Sequence, residues 1–493
     1  MTTPPPPIYA PPEYVPPPPR RPLAAGAIVA WGVIVLCVAA MLARDVWTPY
    51  VRPAARGGRS ASTQPALQPI SEIRSVQLKL VSLYAVGARE FTRQQPRPPT
   101  SGPASIPTTA TTTTASRQAP HDPLARTVEQ SITNPVDDFR SIPVIAELEG
   151  TDAALARLAR FEKQYQVVRL RPDVDALRTL YTRGPDALTD RQANDLVQRH
   201  GWFGELALAY GHPDSDPRRQ AVLAPASRAV MIGMLATFGG FGALVLGIVL
   251  GILALVRYSD GRLSRAYRPD PPGQADRFVE AFALYLTTFI ALSIALALLF
   301  PHAVFWPNWA ISIVLPLVLV WLHRRGAPWP QVRRALGWHA GRGFFREIGA
   351  GVVGYLTGLP VIGVGLILTL VLTQRTGIRP THPVQNMPTD APTDVLQILI
   401  LAAAWAPIIE ETMFRGALFH HLRSRFGWWV STIIVSLIFA AIHPQGWTLI
   451  PALGAIAFVL AGIREWRGSI IGCMTAHALH NGALVMLFVM SVR

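Results

Sequence analysis

The chain has 493 residues, half of them hydrophobic and only 15% charged, with a formal net charge of +15. A quarter charged is usual for a soluble globular protein, so this composition argues for a membrane rather than for a string of soluble domains. The positive charge is almost all arginine, Lys79 and Lys163 being the only lysines, and its clusters flank long apolar segments, which points to anionic headgroups and away from nucleic acid.

Residues 1–22 form a proline-rich tail, expected to be extended or unstructured because proline withholds backbone donors and there is little to bury. Residues 23–43 read as an N-terminal transmembrane span. A cleaved signal peptide ending near "VAAMLA" is the rival reading, and the length of the preceding tail and its few charges speak against it.

Residues 44–225 differ in kind, with charges of both signs and helical periodicity, and read as a small extramembrane helical domain. Ile73, Val76, Leu80 and Leu83 suggest one amphipathic helix, Leu155, Leu158 and Phe161 another, and Asp175 to Leu208 a helix pair. A Ser/Thr/Pro linker at 93–123 cannot pack a core. The domain is a candidate contact surface for a protein partner; no repeat period supports a helical-repeat platform.

Residues 226–493 carry apolar runs of spanning length at 229–256, 279–300, 307–322, 348–373, 395–422, 428–443, 447–463 and 469–490, the third and sixth being short. The expected fold is therefore all-α, a polytopic helical membrane bundle of about eight core spans plus the N-terminal one. With the amino terminus inside, the arginines at 20–21, 257–268, 324–334, 423–425 and 464–467 all fall on the cytoplasmic side and the 44–225 domain outside. Arg52, Arg56 and Arg59, just after the first span, run against this orientation. The two cysteines, Cys37 and Cys473, lie in apolar runs and form no disulfide framework, and no P-loop or dinucleotide fingerprint follows a plausible strand.

Within these spans, Glu410 and Glu411 are out of place, because an ionisable group at bilayer depth is penalised by a few kcal/mol or more and usually faces the bundle interior. Arg415 stands four residues after Glu411, on the same helical face and in the favourable order for an ion pair. A structural salt bridge would account for Glu411 and leave Glu410 alone. Phe439 and His443 end one short span, and His477 and Asn481 share a face of the last. Counted at about 1.5 Å per residue from the nearest flanking arginine or glycine, Glu410, His443, His477 and Asn481 lie roughly 22, 24, 15 and 21 Å deep, so they can meet. A carboxylate and two imidazoles around a cavity activate water, either directly or by holding a metal, and an amide can donate to an oxyanion. There is no HExxH and no Gly-x-Ser-x-Gly.

At these residues the sequence resembles the CAAX prenyl endopeptidase and bacteriocin-processing (CPBP, or Abi) family of intramembrane proteases. The family's three motifs stand in order as Glu410-Glu411-x-x-x-Arg415, Phe439-x-x-x-His443 and His477-x-x-x-Asn481. The resemblance covers roughly 395–490 in motif and 229–490 in architecture. It implies that Glu410 activates the attacking water, that His443 and His477 complete the site, that Asn481 helps stabilise the oxyanion, and that Glu411 and Arg415 orient the helix. It leaves room for a zinc ion held by Glu410, His443 and His477. The expected substrate is a membrane-associated protein or peptide and the expected location the bacterial inner membrane, where prenylated CAAX proteins are not expected. His420, His421 and His480 match no motif and read as surface or packing residues. The competing functions are a non-catalytic scaffold or immunity-type protein on the same fold, and a transporter using the buried acid and imidazoles as a proton relay.

Overall fold

The computed structural model describes residues 22–57, 75–94, 122–165, 168–378, 380, 387 and 391–492. The proline-rich tail, Ile73 and the Ser/Thr/Pro linker fall outside these residues except at their edges. All regular structure in the described residues is helical.

Helix α1 (Ala25–Gly57) is followed by α2 (Val76–Gln94), α3 (Pro123–Gln130), α4 (Pro135–Glu149), α5 (Thr151–Gln164), α6 (Arg171–Arg183), α7 (Asp190–His200) and α8 (Trp202–Ala209). Helices α2 to α8 make a bundle with two apolar centres. One is built around Leu83, Val128, Val144 and Leu206, the other around Phe139, Ile142, Leu158 and Leu177. The stretch read as a helix pair over Asp175–Leu208 is cut into three helices, because Gly184 and Gly201 take positive φ (92° and 55°) that other residues resist. Helix α4, the most enclosed of the group, has no signature in the periodicity. Pro143 lies inside it, and Asp137, Asp138, Arg140 and Glu147 are buried on it in ion pairs and hydrogen bonds. Arg157 reaches Asp138 at 2.7 Å and Arg140 donates to the Ser75 hydroxyl at 2.8 Å, so charges that read as solvated hold the interior together.

Helix α9 (Pro217–Ser259) starts on this bundle, capped by the Asp216 side chain and tied to α4 by Arg219–Glu147 at 2.8 Å. It then continues unbroken as a spanning helix, so the boundary drawn at 225/226 falls inside one rod of 43 residues. Gly87 of α2 lets the two backbones close up: a Cβ there would stand 2.2 Å from the Ala226 carbonyl oxygen.

The remaining helices are α10 (Pro272–Leu299), α11 (Trp306–Ile311), α12 (Val314–Arg324), α13 (Trp329–Leu336), α14 (Phe344–Thr376), α15 (Pro392–Leu399), α16 (Ala406–Glu411), α17 (Phe419–Arg425), α18 (Trp428–Ala441), α19 (Ile450–Arg467) and α20 (Ile471–Val492). Among the described residues, eight helical segments are long and apolar enough to cross a membrane, and α18 is a shorter apolar helix. The chain is a polytopic all-α bundle. Helix α14 is its hub, packing on α9, α19 and α20. Glycines make that possible, since a Cβ at Gly351 would meet the Gly472 carbonyl at 2.5 Å and one at Gly358 the Val459 side chain at 2.3 Å.

One end of the bundle gathers the charges. There Asp276 binds Arg425 at 2.7 Å, Glu465 binds Arg423 at 2.9 Å and Glu347 binds Arg467 at 2.7 Å. Helix α1 begins at this end, with the Ala24 amide on Asp276 and the Trp31 indole donating to His421 Nε2 at 3.1 Å. His420 and His421 are therefore buried, hydrogen-bonded residues, His420 facing the Tyr267 hydroxyl at 2.8 Å. The α2–α8 bundle sits at the opposite end, where α9 begins, and α2 packs on α9 and touches α20.

Candidate functional site: a carboxylate and two imidazoles inside the membrane bundle

The apolar run read as a single span over 395–422 is a composite helix. Two π-helical turns, Ile400–Trp405 and Thr412–Leu418, bracket the short α16 that ends in Glu410 and Glu411. A π turn bonds each N–H to the carbonyl five residues back, and such turns gather at functional sites. At position 407 that partner would be Ala402, but Pro407 has no N–H to give. The Asn481 side-chain nitrogen donates to the Ala402 carbonyl instead, at 2.9 Å. In the second turn Arg464 Nε donates to the Arg415 carbonyl at 3.1 Å. Each irregular turn is thus held from a neighbouring helix.

The two adjacent glutamates have different surroundings. Glu411 and Arg415 are wholly buried and paired at 2.9 Å, and the Arg415 guanidinium lies 4.6 Å from the centre of the Phe439 ring. Glu410 keeps a quarter of its side chain exposed. Only Glu410 is reachable.

His443 follows the end of α18, where its Nδ1 bonds the Phe439 carbonyl. A carbonyl only accepts, so Nδ1 carries the hydrogen and Nε2 its lone pair. His477, on α20, turns Nδ1 to Glu411 Oε1 at 2.8 Å. The same Glu411 oxygen takes the Arg415 bond, so one buried carboxylate fixes both partners. The two remaining Nε2 atoms face Glu410 Oε2, at 3.8 Å from His443 and 3.9 Å from His477. Phe439 walls the site, with ring centroids 4.3 Å from His443 and 6.3 Å from His477.

Glu410 Oε2 is buried and has no hydrogen-bond partner in the protein. With both imidazoles neutral, three acceptor atoms from three separate segments of the chain thus face one another with no donor among them. Distances beyond 3.5 Å suit a bridging water better than a direct bond. The donor set is also one that zinc uses in hydrolases, two imidazoles and a carboxylate, and each imidazole has its other nitrogen already held, as zinc-bound histidines do. Among the described residues no three such side chains stand close enough to hold a metal ion as they are. Tetrahedral ligands lie about 3.3 Å apart, so an ion would have to draw these atoms in by roughly 0.5 Å.

The structure brings Glu410, His443 and His477 together and places Glu411, Arg415 and Phe439 behind them. Asn481, one turn beyond His477 on α20, has a donor engaged by the Ala402 carbonyl. Two features escape sequence reasoning. The Trp338 indole donates to the Thr412 hydroxyl at 3.0 Å, fixing the helix two residues beyond Glu410, and no local spacing pairs residues 74 positions apart. The π turn before Glu410 did leave a signal, Pro407 within an apolar run.

Residues 392–483 match the family described as type II CAAX prenyl endopeptidase Rce1-like. Over that segment the chain is similar to this family. All of the residues just described as forming the centre lie within it. Two curated relatives share shorter stretches. An uncharacterized 24.3 kDa protein of Escherichia coli is 43% identical over 54 residues, 10% of this chain and 25% of its own length. The uncharacterized protein YpbD of Bacillus subtilis (strain 168) is 41% identical over 71 residues, 14% of this chain and 33% of its own length. The chain thus spans between a quarter and a third of these relatives. No solved structure matches it.

Proposed function

We propose that the chain is an intramembrane endopeptidase that hydrolyses a peptide bond in a membrane-associated protein or peptide, with Glu410 activating the water. The observation that carries this reading is the convergence of His443 Nε2 and His477 Nε2 on the buried, unpartnered Glu410 Oε2. A water between these atoms donates one hydrogen to Glu410 and the other to an imidazole Nε2, which leaves an oxygen lone pair free to attack. As that oxygen bonds the scissile carbonyl carbon, its proton passes to the Glu410 carboxylate, and it moves on to the departing amine nitrogen as the C–N bond breaks. The second N–H of the Asn481 amide, not used by the Ala402 carbonyl, would donate to the developing oxyanion. The donor set supports a zinc-assisted version as well, in which Glu410, His443 and His477 would hold an ion that lowers the pKa of the attacking water.

The placement of the α2–α8 bundle at the end opposite the arginines supports an orientation with the amino terminus cytoplasmic and that bundle outside, in a bacterial inner membrane. There the bundle is available to a protein partner or to the substrate's outer part.

The test is the purified full chain in lipid bilayers with a library of fluorogenic membrane-spanning peptides. Glu410→Gln is expected to lower turnover by at least about a hundredfold, the range for loss of a general base, with unchanged helix content. Equal turnover by the variant contradicts the proposal.

A further inference from the structure

Outside the hydrolytic centre, the arginine-bearing end of the bundle carries an open groove of about 360 Å³, lined by Pro330, Arg333, Arg334, Trp338 and His339. It is built by α13 and the turn that follows. Val332, Ala335 and Leu336 bury one face of this short helix, which leaves Arg333 and Arg334 exposed on the other. Gly337 ends the helix in the left-handed conformation and turns Trp338 and His339 alongside.

The groove's charge is unevenly engaged. Arg334 reaches Asp270 at 3.4 Å, a contact that leaves its side chain 68% exposed. Arg333 has no hydrogen-bond or ion-pair partner for its guanidinium among the described residues. Trp338 is one-third exposed and fixed, since its indole N–H is committed to Thr412. Two guanidinium forks beside an anchored indole face match a phosphate diester, which accepts several hydrogen bonds at once.

The surroundings decide between a lipid and a free anion. The next helix opens with Phe344 and Phe345, 54% and 83% exposed, and Trp329 at the start of α13 is 41% exposed. A site for a soluble phosphate has no use for such a rim, whereas exposed aromatics beside arginines mark the headgroup level of a bilayer.

We propose that this groove is a binding site for the phosphodiester headgroup of an anionic phospholipid, held by Arg333 and Arg334 with its glycerol against Trp338. It docks on the helix that carries the glutamates, because Trp338 joins the groove wall to Thr412.

The test uses the detergent-purified full chain and native mass spectrometry. Dioctanoyl phosphatidylglycerol is the probe, compared with dioctanoyl phosphatidylcholine and inorganic phosphate. Wild type is expected to retain phosphatidylglycerol in preference to both. The double variant Arg333→Gln/Arg334→Gln should bind it about tenfold more weakly, as for loss of charge-assisted bonds. Both residues are exposed, and circular dichroism will show whether the variant keeps its helices. Arg257→Gln/Arg262→Gln, which removes two exposed arginines from the same end of the molecule, should leave binding unchanged. Equal loss in both double variants overturns the site in favour of general surface charge. Inorganic phosphate retained as well as the lipid overturns the lipid assignment.

Discussion

Arg415 and Glu411 show how much of the centre rests on single contacts. Their pair is fully enclosed, and Glu411 also holds His477. Breaking a buried ion pair from one side leaves a charge without compensation, which costs about 3–5 kcal/mol. Arg415→Leu should therefore unfold markedly earlier in a thermal scan of the detergent-solubilised chain. A melting curve like that of wild type would mean that Glu411 has another counter-charge. His200 makes a second residue-scale case, in the α2–α8 bundle. It is buried 3.2 Å from Asp173, and burial, outweighing that carboxylate, lowers its pKa below the ordinary histidine value. A group with a depressed folded pKa stabilises the fold above its unfolded pKa of about 6.5, and that contribution is lost as pH falls below it. The opening free energy of α7, from amide exchange corrected for the pH dependence of the intrinsic rate, should thus fall below about pH 6.5, with a slope of at most about 1.4 kcal/mol per pH unit. In His200→Gln this part of the slope should be gone.

Among the elements, the composite helix over 392–425 does most to position the centre. The π turn at Ile400–Trp405 leaves the Ala402 carbonyl without a backbone donor, and Asn481 supplies one. Asn481→Leu should raise amide exchange across 400–405, by about fivefold for one interhelical hydrogen bond of roughly 1 kcal/mol. Unchanged exchange would show that the π turn stands without it. The spans were legible because apolar length is a one-dimensional signal: 348–373 lies within α14, and 469–490 nearly coincides with α20. Register was not legible, since a π turn keeps the same hydrophobic composition as an α turn. Helix α4 escaped for the opposite reason, because its interior is stitched by charges that periodicity assigns to solvent.

For the whole molecule, the site was more legible than the α2–α8 bundle. Glu410, His443 and His477 announce themselves by being polar where lipid should be, whereas Asp138, Arg157 and Arg219 are unremarkable until folding buries them. The arrangement of ends gives a further test. Asp186→Cys on the bundle and Arg333→Cys at the arginine end should react with a membrane-impermeant maleimide from opposite sides of intact cells, Asp186→Cys from outside. Labelling of both from one side would contradict the placement of the bundle across the membrane from the arginines.

The central claim is that Glu410, with His443 and His477, makes this chain a protease. It is tested most directly by comparing the membrane proteomes of cells that express wild type or Glu410→Gln at equal levels. The account predicts at least one protein fragment, with a defined new terminus, that is present with wild type and absent with Glu410→Gln. Identical fragment patterns, with both proteins inserted and folded, would contradict it.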